Sequence, residues 1–191
     1  MSPPPSSNLR SYLPDESWFR FRPRGIHGAP HTTRVLVWAD AIANAVAGPG
    51  ALRLEELRWA ASVHDVGRVN DGTDQGHGTR SAEWVAMNLA ETRPQTTGLD
   101  LAFVAELCRW HEIPDPKIGR LSLELLILKD ADGLDRARLG DLDPRRLRLA
   151  RSLGLVAAAE ELERATNRYG SVTAADILDA ADRLGSDGAR R

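Results

Sequence analysis

The sequence predicts an all-α protein, on three observations. Apolar residues recur at three- and four-residue spacing in one segment after another from Pro30 onward, and these runs are bounded by residues that start and stop helices. No stretch alternates apolar and polar residues as a half-buried strand requires.

The first helix opens at Pro30, a residue suited to a first turn because its missing N–H has no partner there anyway. Val35, Leu36, Trp38, Ala39, Ile42, Ala43 and Val46 form its apolar face, and Gly48-Pro49-Gly50 stops it. A second helix is expected over about 53–66, ending in the glycine- and aspartate-rich loop GRVNDGTDQGHG at 67–78. A third covers about 79–91, a fourth 99–110 and a fifth 122–132 or slightly beyond. Pro144 then opens a helix to about 169, and Thr173 caps a last one through 184. No internal repeat is visible.

Residues 1–24 hold five prolines and end near WFRFRPRG, which reads as an extended arm that docks through Trp18, Phe19 and Phe21. Residues 25–185 form one domain, and 186–191 a flexible tail. A chain of 191 residues, 42% hydrophobic and 27% charged, suffices for a single full core.

The net charge of −2 and isoelectric point near 6.2 supply no general field for a nucleic acid polymer, so a small-molecule ligand is expected. The single Cys108 has no partner for an internal disulfide and sits in the apolar stretch LAFVAELCRW, where a buried, inert thiol is expected. There is no apolar run of membrane-spanning length, and the Met-Ser-Pro-Pro-Pro start lacks the apolar core of a signal peptide. The expectation is a cytoplasmic protein that does not enter membranes. The Ala/Leu-rich stretch at 144–167 either completes the core or pairs with a second copy in a homodimer.

Four of the five histidines fall near helix ends or in the glycine-rich loop, where neither core packing nor a solvated face has a need for imidazole. His64 and Asp65 are adjacent at the end of the apolar helix WAASVHDVGR. A carboxylate buried there is costly unless it is paired or bound to a cation. Both side chains can reach one ion from a helix end, with the carboxylate free to extend to a second.

His31 in HTTRV, His64-Asp65 in HDVGR and Asp132 in KDADGLDR resemble the ordered H…HD…D ligand set of the HD superfamily, over roughly residues 25–140. That resemblance implies a helical bundle in which these four side chains hold a divalent metal. His77 in DQGHGTRSAEW and His111 in RWHE resemble the pattern of relatives that hold two ions. In that arrangement Asp65 bridges, His31, His64 and Asp132 complete one site, and His77 and His111 anchor the other. Manganese or iron is the expected metal, with magnesium, nickel and zinc as alternatives. His27, in the loop before the first helix, lines the site. Arg68 stands where the HDxGK variant has a lysine and is expected to clamp a phosphate, with capping of the helix C-terminus as its competing use. The GYP portion of that variant is absent.

Arg34, Asn70, Arg80 and Lys129 are further candidates to meet substrate. Asp71 is a candidate proton donor to a leaving oxygen, with an Asx turn in the NDG segment as its other use. The resemblance therefore implies hydrolysis of a small phosphate ester by a metal-activated water, with Asp65, Arg68 and Asp71 at the reacting centre. Two rivals share the donor set: a diiron oxygenase acting on a small polar substrate, and a non-catalytic ligand-binding module.

Overall fold

The computed structural model describes residues 9–21, 27–46, 48, 50–167 and 172–188. Among them are nine α-helices, several 3-10 turns and no strand. Among the described residues no helix is long and apolar enough to cross a membrane.

α1 (Ala29–Val46) is the central element, and every residue from 35 to 43 is buried. A helix apolar on all sides must be surrounded, and α1 packs against α2 (Leu54–Val63), α6 (Leu123–Leu134) and α9 (Ala174–Gly188). Trp38, Trp59, Leu57 and Ile127 are at most 2% exposed, each contributing roughly 1.5–3 kcal/mol by leaving water. The one charge inside this face, Asp40, accepts from Arg58 Nε at 2.8 Å and Nη2 at 2.7 Å, which satisfies the carboxylate in place.

α3 (His77–Trp84) begins two residues earlier than the periodicity suggests, because Gly76 enters it with a φ of 82° that only glycine adopts readily. It continues through a π-helical turn, Val85–Leu89, into the short α4 (Ala90–Thr92). α3 lies directly on α5 (Leu101–Trp110). Caps define the other starts. Asp100 accepts from Phe103 N at α5, Ser122 from Leu125 N at α6, and Thr173 and Asp176 cap each other's amides at α9.

The single helix expected from Pro144 to about 169 is replaced by a 3-10 turn, Pro144–Arg146, then α7 (Ala150–Leu153) and α8 (Val156–Thr166). The interruption has a local cause. Asp130, fully buried in α6, accepts from Arg148 N at 2.9 and 3.0 Å and from Leu149 N at 2.9 Å, so these amides do not join a continuous helical ladder. The expected end near 169 lies outside the described residues. α8 turns Ala159 and Leu162 inward, against α9.

The described part of the N-terminal segment is not extended throughout, since it carries 3-10 turns at Arg10–Tyr12 and Glu16–Trp18. Trp18 and Phe19 are buried and Phe21 half-buried. The Trp18 ring lies 5.3 Å from that of Trp84, and Tyr12 packs 5.2 Å from Trp59. The expected boundary at 24–25 lies outside the described residues, as do 189–191 of the expected tail. Residues 186–188 belong to α9.

Candidate metal centre

Four helix ends and one loop deliver the histidines to one place. His31 occupies the first turn of α1, His64 follows the last residue of α2, His77 opens α3 and His111 follows α5. Asp132 comes from the last turns of α6, and His27 from the residues just before α1.

Asp65 is the hub. Its Oδ2 lies 3.4 Å from His31 Nε2 and 3.1 Å from His27 Nδ1, while its Oδ1 lies 3.2 Å from His77 Nε2 and 3.6 Å from His111 Nε2. One carboxylate thus presents a separate oxygen to each histidine pair. His31 Nε2 is also 3.5 Å from Asp132 Oδ1 and 3.3 Å from His64 Nε2. Asp132 keeps 40% of its side chain exposed, opening the cluster to solvent on that side.

The far ring nitrogens decide which atoms face inward. His64 Nδ1 donates to Ala61 O at 2.9 Å, His77 Nδ1 to Asp74 O at 2.6 Å and His111 Nδ1 to Cys108 O at 2.6 Å. Carbonyl oxygens only accept, so each of these imidazoles carries its proton on Nδ1 and turns an Nε2 lone pair to the centre. His31 Nδ1 lies 2.6 Å from Asp135 Oδ2, the same arrangement with a carboxylate. The inward lone pairs then confront each other, His77 Nε2 with His111 Nε2 at 3.0 Å and His31 Nε2 with His64 Nε2 at 3.3 Å. Such facing lone pairs repel unless a cation or proton lies between them, so the donor set fits metal ions. Three groups, His31 with His64 and Asp132, His64 with Asp65 and His111, and His27 with His31 and Asp65, each converge closely enough to hold one.

Burial opposes charge on His31 and His77, yet their carboxylate partners, Asp135 and Asp65 for His31 and Asp65 for His77, raise both, so the surroundings of these rings favour a positive charge. Burial pushes His64 down to about 3, keeping it neutral and able to ligate. Burial opposes charge on Asp65, yet the surrounding imidazoles hold its carboxyl well below the usual carboxylate range. The Cys108 thiol is pushed up by burial and stays inert.

The cluster floors a cleft of about 270 Å³, lined by Arg68, Asp71, Arg136 and Arg138 beside the histidines. Arg68 does not stand free at a helix end. Its Nε donates to Asp65 Oδ2 at 2.8 Å and its Nη1 to Gly72 O at 3.2 Å. Asp71 lines the cleft with an unpartnered, buried Oδ1, and the Asx turn of that segment is made by Asn70, whose Oδ1 accepts from Gly72 N at 2.8 Å.

Arg34, Asn70 and Arg80 are not among the residues that line this cleft. Arg34 is committed to Asp135, and Arg80 pins α3 to the preceding loop through Gly67 O at 2.8 Å and through Asp74. Lys129 borders an adjoining cleft and is held by Ile113 O and by Asp115 at 3.0 Å. His27 sits closer than a lining position, within ligating reach of Asp65.

Sequence reasoning passed over Asp135, Glu112, Arg136 and Arg138. Asp135 could have been found: it stands three residues after Asp132, on the same helical face, as Arg34 stands three after His31. Glu112 lies 3.1 Å from His77 Nδ1 and accepts from Gly78 N at 2.9 Å. Its place beside His111 carries no periodic signal of that pairing.

A family model described as HD domain matches residues 28–137. No curated protein and no solved structure matches the chain.

Proposed function

The chain belongs to the HD domain family, and on that premise we propose that it is a metal-dependent phosphohydrolase acting on a small phosphate ester, with two divalent ions in the histidine–aspartate cluster. The observation that carries this reading is Asp65, whose two oxygens serve separate histidine pairs, beneath a cleft walled by arginine. His31, His64 and Asp132 would hold one ion, with His27 within reach of it, and His77 and His111 would anchor the other. Nitrogen and oxygen donors in this mixture suit manganese or iron, and accept magnesium, nickel or zinc.

Bound divalent ions supply Lewis acidity and lower the pKa of a coordinated water toward neutrality. The chain's residues do the rest. Arg68, fixed by Asp65 and Gly72 O, presents its remaining N–H groups to an anionic substrate. Asp71, whose Oδ1 is unpartnered, is the proton donor to the leaving oxygen in this reading. The cleft of about 270 Å³ has room for a phosphate monoester or a small diester.

The oxygenase reading rests on the same donors, but the arginines around the cleft favour a phosphorylated substrate over a neutral one. A panel of phosphomonoesters, nucleotides and phosphodiesters, run with manganese, iron and magnesium beside an oxygen-uptake assay, separates the two. Phosphate release without oxygen uptake supports the hydrolase. Oxygen uptake with iron alone overturns it, and protein that binds no divalent metal leaves a ligand-binding module.

A further inference from the structure

Building on the phosphohydrolase reading, we propose that Arg138 is the phosphate-binding arm of the cleft, donating through Nη1 to a non-bridging oxygen of the substrate's phosphoryl group, with Arg136 beside it.

Both arginines lie on the 3-10 turn Asp135–Leu139 that continues directly from α6, so the helix that carries Asp132 also sets their position. The Arg138 side chain is only 9% exposed. Its Nε rests 2.8 Å from Asp135 Oδ2, an ion pair that ties the guanidinium to that carboxylate, and its Nη2 lies 3.5 Å from His31 Nδ1. Nη1 is buried without a hydrogen-bond partner, and so are Arg138 Nε, whose contact with Asp135 is an ion pair only, and Arg136 Nε. Both residues line the same cleft as Asp65, His77 and His111.

Buried polar atoms are almost always partnered, because an unmade hydrogen bond to a charged donor costs more than a neutral one. Orphaned nitrogens on two guanidinium groups that line one cleft therefore mark the place of an absent acceptor. Charge leads to the same conclusion. Asp135 already holds Arg34 on Oδ1 and His31 on Oδ2, so the positive charge of Arg138 exceeds what that carboxylate needs. Surplus positive charge on a rigid planar donor suits a tetrahedral oxyanion, which a guanidinium engages with direction as well as charge. Asp135 then serves two groups, orienting His31 toward the ions and Arg138 toward the substrate.

The test uses the metal-loaded full chain and inorganic phosphate as the probe, with binding measured by calorimetry and metal content measured in parallel. Wild type is expected to bind phosphate. Arg138→Met is expected to weaken that binding by about tenfold or more, the scale of a lost charge-assisted hydrogen bond, with metal content and thermal stability retained. Arg138→Lys is expected to recover only part of the affinity, since an ammonium cannot keep both the Asp135 contact and the phosphate. Arg145→Met, at an arginine 89% exposed on another turn, is expected to change nothing. If Arg138→Met loses metal, or binds phosphate as wild type does, Arg138 only supports Asp135 and His31, and the proposal is overturned. If wild type binds no phosphate, the proposal is likewise overturned, even should it hydrolyse esters. If phosphate binding depends on Arg138 but no ester is cleaved, the arm stands and the hydrolase reading is what fails.

Discussion

His77 Nε2 and His111 Nε2 face each other at 3.0 Å, each ring held from behind by a carbonyl oxygen, of Asp74 and of Cys108. In the proposed two-ion reading they anchor the second ion, while His31 and His64, whose Nε2 atoms are 3.3 Å apart, serve the first. His77→Ala or His111→Ala is therefore expected to lower bound metal by about one equivalent while the other site stays largely filled, since each has its own histidines. Metal analysis of the purified variants checks this; unchanged metal content with weakened phosphate binding would make the centre mononuclear.

Asp65→Ala is expected to remove both ions and all turnover. Among the described residues Asp65 reaches His31 through one oxygen and His77 and His111 through the other, and the proposed two-ion centre depends on it as the bridging anion. A variant that keeps its activity would place the chemistry elsewhere.

Asp135→Asn is expected to weaken metal binding by about 10–100-fold without touching a metal ligand, because the carboxylate that orients His31 and raises its basicity is replaced by an amide. Competition with a chelator measures the change. Equal affinity in wild type and variant would show that α1 alone positions His31.

Gly78→Ala is expected to destabilise the fold by roughly 1–3 kcal/mol, as overpacking of a tight contact does. A Cβ there would lie 2.6 Å from Cys108 O and 2.9 Å from Arg109 O, backbone atoms that cannot swing aside. Because this contact seats α3 on α5, thermal unfolding should shift down together with loss of the ion held by His77 and His111. A midpoint equal to wild type's would mean the two helices separate freely.

Acid stability offers a check away from the centre. Hydrogen bonds from Arg148, with help from Lys129, hold the Asp115 carboxyl down at about 2 against burial. A depressed carboxylate contributes stability that is complete above its unfolded value of 3.8 and is lost as pH falls through about 2. Asp115→Asn is expected to flatten that part of the acid limb in the metal-free protein while costing stability at neutral pH. Parallel acid limbs for the two proteins would contradict the pairing.

Much of this protein was determined by its sequence alone, because the signals involved are local. The three-and-four spacing of apolar residues located α1, α2, α5 and α6, and the order of His31, His64-Asp65 and Asp132 at helix ends marked the residues that meet. Periodicity reports which face of a segment is buried, and it therefore overlooked what depends on a distant partner. The break at 147–149 follows from Asp130 eighteen and nineteen residues earlier. The roles of Asp135 and Arg138 follow from α1 and the turn after α6 coming into contact across more than a hundred residues of chain. Arg34, Asn70 and Arg80 looked available in the sequence because a charge or amide near a motif carries no mark of its partner, and only the packed structure commits them to Asp135, Gly72 and Gly67. Tertiary structure alone decided which Asp65 oxygen serves which histidines and which guanidinium nitrogens remain unmatched, since hydrogen bonds act over about 3 Å and the chain brings their partners together only on folding.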